Sequence, residues 1–506
     1  MAPPVRVEVC CGAGLPQFAM VGLAETAVRE SRDRVRAAIL NSGLEFPPGR
    51  ITVNLSPADL PKEGGRYDLA VAVGILAASG QLPDRRLADV EFYGELSLSG
   101  ELRQVPGLLA AAVHAARHGR PIVVPRACAA EACMAPGVAV HAAPTLLALV
   151  LALRGPGPLS YEGSRPLESG RAPSVHDLAD VRGQETAKRA LEIAAAGSHC
   201  ILLSGPPGAG KSMLAQRLPG LLPPLTESEA IETAMVHSVS REPPPFERWR
   251  ERPFRAPHHS ASAPAVIGGG SRPSPGEVSL AHHGVLFLDE LPEFNRAVLE
   301  SLREPLETGV VSVARAGYRA TFPARFQLVA AMNSCPCGYA GDESGRCRCS
   351  AAQLQRYLAR LSGPLIDRID LHVAVRPVPY ERLRGAASAA CGSAQTASRV
   401  AEARARQLAR GALNATLSVR ALEGACALGA REHQLLNEAA ARLGLSARAC
   451  HRALRVARTV ADLEKSERVG TDHLAEAMGY RCLDRLAAGE PLRAQGAWLL
   501  QGRERT

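Results

Sequence analysis

Lysine is almost missing from this chain: only Lys62, Lys188, Lys211 and Lys465 occur in 506 residues, and arginine supplies the rest of the 59 basic side chains. Beside abundant alanine, such a skew has the character of genomic bias, so arginine richness alone is no sign of recognition. Any motif that demands a lysine is correspondingly sharper. Against 50 acidic residues the balance is +9, which permits a polyanionic partner without requiring one. Aromatics are scarce at 4%, which disfavours surfaces built on base stacking. Long apolar runs are absent too: the longest, 69–78 and 146–153, are roughly half of what a membrane span requires, so no membrane partner is expected. No basic, apolar and small-residue leader opens the chain. The 13 cysteines are odd in number and form no disulfide framework, which fits a reducing cytoplasm. What remains is ordinary for a folded protein, 46% hydrophobic and 22% charged, which excludes a disordered or fibrous chain. The length allows about three domains.

Residues 1–153 alternate strand-like runs (5–9, 51–55) with amphipathic helical patterns (25–40, 108–118). Residues 154–173 are rich in glycine, proline and serine without periodicity and read as a linker. A second α/β unit is expected over 174–383, a weakly structured linker over 384–398, and a mostly helical tail over 399–506.

The chemistry concentrates in the middle unit. A short apolar strand, 200–204, runs into Gly205-Pro206-Pro207-Gly208-Ala209-Gly210-Lys211-Ser212 and then a helical stretch. Small residues at this spacing let backbone N–H groups turn inward around phosphate oxygens, and the helix start adds its positive dipole end. Lys211 would reach the β- and γ-phosphates, and Ser212 would ligate Mg²⁺. A second apolar strand, 285–290, ends in Asp289 and Glu290. Paired acids at the end of a buried strand need a metal or a partner. Asp289 would hold Mg²⁺ through water, and Glu290 would orient and deprotonate the attacking water. A third strand, 326–332, ends at Asn333, whose amide can orient that water or merely start a turn.

Two Cys-x-Cys pairs, Cys335/Cys337 and Cys347/Cys349, follow on a glycine-containing loop. They could close a tetrahedral thiolate site for a structural Zn²⁺, or remain reduced thiols in a loop. Arg252, Arg255, His258, His259 and Arg272 crowd an insert ahead of Asp289, and Arg315, Arg319 and Arg325 a hairpin-like segment after Glu307. Facing a pore they could track a phosphate backbone; otherwise they are a solvated surface.

The stretches FRAPHHSAS (254–262), PGEVSLAHHGVLFLDEL (275–291), AAMNSCPCGY (330–339), RLSGPLIDRIDLHV (360–373) and LSARACHRALRVARTVADL (445–463) resemble the Mg-chelatase-like AAA+ ATPases of the YifB/ComM family, whose competence member is a DNA branch-migration helicase. The resemblance reaches across nearly the whole chain. It implies a P-loop AAA+ core (an α/β fold, parallel sheet flanked by helices), an N-terminal Lon-protease-like (S5 domain 2-like) α+β domain and a C-terminal helical lid. It also implies ATP and Mg²⁺ as cofactors, a homo-oligomer expected to be a hexamer, and DNA, branched or single-stranded, as partner. Recombination proteins are further expected partners, with a role in homologous recombination during natural transformation. Arg368 falls where the family has its arginine finger, the residue that stabilises charge on the γ-phosphate held by the neighbour; pairing with Asp367 or Asp370 is the plainer alternative. Arg448 matches the lid arginine that touches nucleotide within the same subunit. Arg448, Arg452 and Arg455 fall on one helical face, and spacing alone does not choose among them. In the N-terminal domain Arg66 and Leu109 stand where a Lon-type peptidase has its serine and lysine, so no peptidase activity is expected. The family usually carries a strand-forming segment ahead of Met1-Ala-Pro-Pro, so this domain is expected either to lack an edge or to begin upstream. A magnesium-chelatase motor subunit and a protein-remodelling chaperone remain the alternatives at this level.

Overall fold

The computed structural model describes residues 3–22, 26–58, 60, 62, 64–87, 89–157, 159–163, 176–240, 249–270, 273–315, 318–340, 345–378 and 392–481, with backbone alone at 26–29, 314–315 and 318–319. Arg272, the stretch 379–391 and most of the linker 154–173 lie outside the described residues, as do the side chains of Arg315 and Arg319. The chain divides into two units, Met1–Gly170 with Ala230–Trp249, and Arg171–Glu229 with Arg250–Thr506.

In the first unit, strand Arg50–Ser56 alternates Ile51, Val53 and Leu55 into the core. It pairs antiparallel with Arg6–Gly12 and parallel with Gln17–Val21. Helices Thr26–Asn41 and Asp68–Ala78 accompany this sheet. A second sheet of Glu91–Phe92, Ile122–Pro125, Ala139–Ala143 and Glu162–Gly163 mixes parallel and antiparallel pairs. It is accompanied by helices Leu108–Arg117 and Leu146–Arg154.

Within the stretch 174–383, Ala230–Trp249 groups with the first unit. Ile231, Ala234, Met235 and Trp249 pack against the cluster of Val105, Leu108, Leu109 and Val113. That apolar face is satisfied by a core more than 100 residues earlier in sequence, which no local pattern reveals.

The second unit is built on five parallel strands in the order Phe254–Arg255, Val285–Leu288, Gln327–Met332, Ile201–Ser204, Leu371–Ala374. Its three central strands are buried at nearly every position, as a parallel sheet covered on both faces demands. Period-two alternation divides them between two cores. Ile201, Leu203, Phe287, Val329 and Ala331 face helices Glu185–Gly197, Ser393–Ala409 and Ala447–Leu463. Leu202, Leu286, Leu288, Leu328 and Ala330 belong to the other core, with Val298, Leu299, Tyr357 and Leu365.

Helix Ser393–Ala409 begins inside the stretch expected to be a linker. Asp177 Oδ1 accepts from the Ser393 amide at 2.7 Å, and Ser393 Oγ accepts from the Leu178 amide at 2.7 Å. The small residues that suggested an unstructured linker instead start a helix that packs on the alanine-rich helix Glu185–Gly197. Among the described residues no helix is long and apolar enough to cross a membrane.

Candidate functional site

Because the five strands are parallel, their carboxyl ends open on one edge of the sheet, where loops from separate strands can converge. The loop 205–210 leaves strand Ile201–Ser204 there. A Cβ on Gly205 would stand 2.1 Å from the Val375 carbonyl oxygen, so only glycine passes between the strands. Gly208 and Gly210 take φ of 77° and 93°, the left-handed region that turns the backbone on itself. The following helix is short, Lys211–Ala215, with a second turn Leu218–Leu221.

Lys211 Nζ donates to the carbonyls of Gly205 (2.8 Å) and Pro206 (3.0 Å) and to Asn333 Oδ1 (3.1 Å). Burial lowers its pKa, opposed by the charges of Asp289 and Glu290. Ser212 Oγ donates to Asp289 Oδ2 at 2.6 Å, and Asp289 Oδ1 accepts the Glu290 amide at 2.9 Å. Lysine, hydroxyl, carboxylate and amide from three strand ends thus meet, as the sequence expectation for Lys211, Ser212, Asp289 and Asn333 requires. The set suits a magnesium-bound polyphosphate: a lysine ammonium, a hydroxyl–carboxylate pair for the cation, and a glycine loop left open at Gly208.

Glu290 adopts φ 52°, a left-handed conformation that costs about 1 kcal/mol or more for a non-glycine residue. Its carboxylate is half exposed and pairs with His259 Nδ1 at 3.1 Å. The His259 ring lies tilted against His258, centroids 4.1 Å apart, and meets Phe294 edge-on. Sequence reasoning placed His259 among residues that track phosphates; the structure sets it on the candidate base.

Arg252 and Arg255 of that insert are also engaged within the unit. Arg252, side chain 9% exposed, donates to the Pro223 and His283 carbonyls and to Glu229. Arg255 makes a two-pronged pair with Glu277 at 2.6 and 2.8 Å. The hairpin is present as antiparallel strands Val310–Arg315 and Tyr318–Pro323, and Arg325 beyond it is exposed.

Arg368 pairs with neither Asp367 nor Asp370. Its guanidinium, 8% exposed, binds Glu307 Oε1 at 2.7 Å and the Pro364 carbonyl at 2.6 Å. Glu307, unnoticed in the sequence, has its carboxyl pulled below the usual range by the Arg368 hydrogen bond, with Arg448 adding charge from nearby. On helix Ala447–Leu463 the three arginines differ in their surroundings. Arg452 binds Asp370 Oδ1 at 2.7 Å and the Arg368 carbonyl at 3.0 Å. Arg455 donates to the Leu417 carbonyl at 2.7 Å. Arg448 is the exposed one, and its charge is felt at the Glu307–Arg368 pair.

The four cysteines lie on the loop behind Asn333, with all four sulfurs within 4.8 Å of one another. The Tyr339 backbone amide first, and then hydrogen bonds with the Cys335 and Cys349 side chains, draw the Cys337 thiol down to about 6.

Comparison with known proteins matches residues 177–383 to the family described as magnesium chelatase, subunit ChlI. Residues 7–128 match subunit ChlI of Mg-chelatase, and 390–481 the magnesium chelatase subunit ChlI C-terminal family. The chain is 49% identical over 487 residues to the uncharacterized protein YifB of Salmonella typhimurium, covering 96% of this chain and 95% of that one. It is 49% identical over 490 residues to the competence protein ComM of Haemophilus influenzae, covering 96% of each. Similarity to the magnesium-chelatase 67 kDa subunit of Heliobacterium mobile is 28% over 229 residues, 39% of this chain and 30% of that one.

Proposed function

The chain belongs to the YifB/ComM family of magnesium-chelatase-like AAA+ ATPases, and from that premise we propose that it is the subunit of a hexameric ring that drives branch migration of DNA during recombination and natural transformation. The observation that carries the motor reading is the meeting of Lys211, Ser212, Asp289 and Asn333 at three adjacent strand ends. The similarity to ComM covers 96% of the chain, whereas that to the chelatase subunit covers 39% of it, which favours a DNA motor over a chelatase subunit.

Lys211 would exchange its carbonyl partners for phosphate oxygens, while Asn333 keeps the ammonium aligned. Ser212 and Asp289 would hold Mg²⁺, which when bound neutralises phosphate charge. Glu290 would take the proton of the attacking water. Release of the 3.1 Å pair with His259 would free Glu290 Oε2 for that water. Arg368 would serve the nucleotide of a neighbouring subunit, and must first release Glu307. Arg448 would touch the nucleotide held within the same subunit, as the family's lid arginine does. ATP-dependent exchange of such pairs gives nucleotide states with different contacts, the requirement for mechanical coupling.

The test is strand movement on a four-way DNA junction by wild type, Lys211→Ala and Glu290→Gln, with ATP hydrolysis followed in parallel. Both variants are expected to lose movement, and Glu290→Gln to retain ATP and hold DNA more tightly. Undiminished movement by Lys211→Ala would overturn the motor reading. Hydrolysis stimulated by an unfolded polypeptide but not by the junction would move the substrate from DNA to protein.

A further inference from the structure

We propose that Cys335, Cys337, Cys347 and Cys349 hold one structural Zn²⁺, and that this ion braces the wall of the phosphate loop.

The geometry is that of a single tetrahedral centre. Four sulfurs at a Zn–S distance of about 2.3 Å lie about 3.8 Å apart along each tetrahedral edge. Cys335 Sγ stands 3.8 Å and Cys337 Sγ 3.7 Å from Cys347 Sγ, with Cys335 and Cys337 closer at 3.2 Å. All four fit within 4.8 Å. A two-metal cluster would divide the ligands between its ions and hold them farther apart.

The surrounding loop is shaped toward sulfur. The Gly338 amide donates to the Cys335 carbonyl at 2.9 Å, closing a turn for which Gly338 takes φ 89°. The Ala340 amide donates to Cys335 Sγ at 3.3 Å, a contact that favours thiolate. The Arg346 guanidinium lies 4.4 Å over the Tyr339 ring, joining the two Cys-x-Cys arms. An apolar core supplies almost nothing here: among the described residues of 336–350 only Gly338 is buried. A loop with so little apolar anchorage needs another source of folding free energy, and zinc binding is one.

The brace follows from where the loop leads. A Cβ on Gly338 would stand 2.6 Å from Pro207 Cδ, so the cysteine loop lies directly against the proline ring of the phosphate loop. Two residues before Cys335, Asn333 accepts from Lys211. Zinc would therefore fix both the outer wall and the amide that aligns the lysine. The metal half stands on its own, while the bracing half rests on the nucleotide reading of 205–212.

The test begins with elemental analysis of the full chain purified under reducing conditions with no added metal. One zinc per chain is expected, released by a mercurial, retained by the control Cys10→Ser and lost by the double variant Cys337→Ser/Cys349→Ser. Loss of zinc should weaken binding of a fluorescent ATP analogue by about tenfold, the lower end of what disturbed supporting shells produce. Wild-type chain free of zinc, or a double variant that keeps it, overturns the site; iron with visible absorption in place of zinc does so as well. Should the double variant prove insoluble, mercurial titration of wild type decides, since zinc must leave as the cluster thiols react. Unchanged nucleotide affinity after zinc removal overturns the brace. A zinc-loaded wild type that binds no nucleotide defeats the nucleotide reading and leaves the metal site standing.

Discussion

In the first unit the buried carboxylate of Asp68 is engaged by Arg34 at 2.9 Å and by the Leu96 amide, and the buried Lys62 ammonium by the Pro57 carbonyl. Leu109, where a Lon-type peptidase would carry its lysine, is buried in the apolar core with its amide bound to Glu131. In the second unit Lys211, Ser212, Asp289 and Asn333 satisfy one another instead through contacts a phosphate and a cation can replace. The two units share one α/β grammar, yet only the second has a central sheet whose five strands all run parallel, so the loops of that sheet gather at one edge. Mixed sheets send loops to both ends and consume their polar groups in holding the fold. Buried charge is therefore a poor guide to function; exchangeable partners are a better one.

The largest expected effect separates the units. Lys211→Ala should abolish ATP hydrolysis, measured by phosphate release, while leaving the circular dichroism spectrum unchanged. Next, Arg368→Ala should lower hydrolysis by the roughly 10³-fold associated with losing an arginine finger, with ATP affinity retained. A normal rate in this variant would show that the Glu307 pair is permanent and that the junction uses another residue. Third is a change of stability inside the second unit. Arg452→Ala leaves Asp370, 3% exposed, without its guanidinium, and should destabilise by about 3 kcal/mol in denaturant unfolding.

That pair also has a pH signature. Burial raises the Asp370 carboxyl, but His199 and Arg452 outweigh it and hold the group below its ordinary 3.8. A depressed folded-state pKa contributes stability that is complete above the unfolded value and fades as pH falls below it. Wild type should thus lose stability below about pH 4 more steeply than Asp370→Asn. The smallest expected effect lies in the first unit. Arg34→Ala should cost about 2 kcal/mol, less than a fully buried pair because Arg34 is 26% exposed, and leave ATP hydrolysis intact. Lost hydrolysis there would break the division between a scaffold unit and a motor unit.

Fidelity between sequence and structure follows the range of the interaction. Strand ends at Ser204, Leu288 and Met332 are set by short apolar runs and were legible, as was the hairpin after Glu307. The helix beginning at Ser393 was not, because its evidence is an anchor to Asp177, 216 residues away. Arg252 and Arg255 looked like a basic surface because the sequence does not print Glu229 and Glu277 beside them.

The sequence by itself determined the phosphate loop, the Asp289–Glu290 strand end, Asn333 and the paired cysteines. Each is a local pattern whose residue types are dictated by one chemical task. Tertiary structure alone decided that Arg452 and Arg455 face inward while Arg448 stays exposed, that His259 holds Glu290, that Arg368 rests on Glu307, and that Gly338 abuts Pro207. Those outcomes depend on which partner a charge meets after the chain has closed distant segments together, and burial, not spacing, fixes that choice.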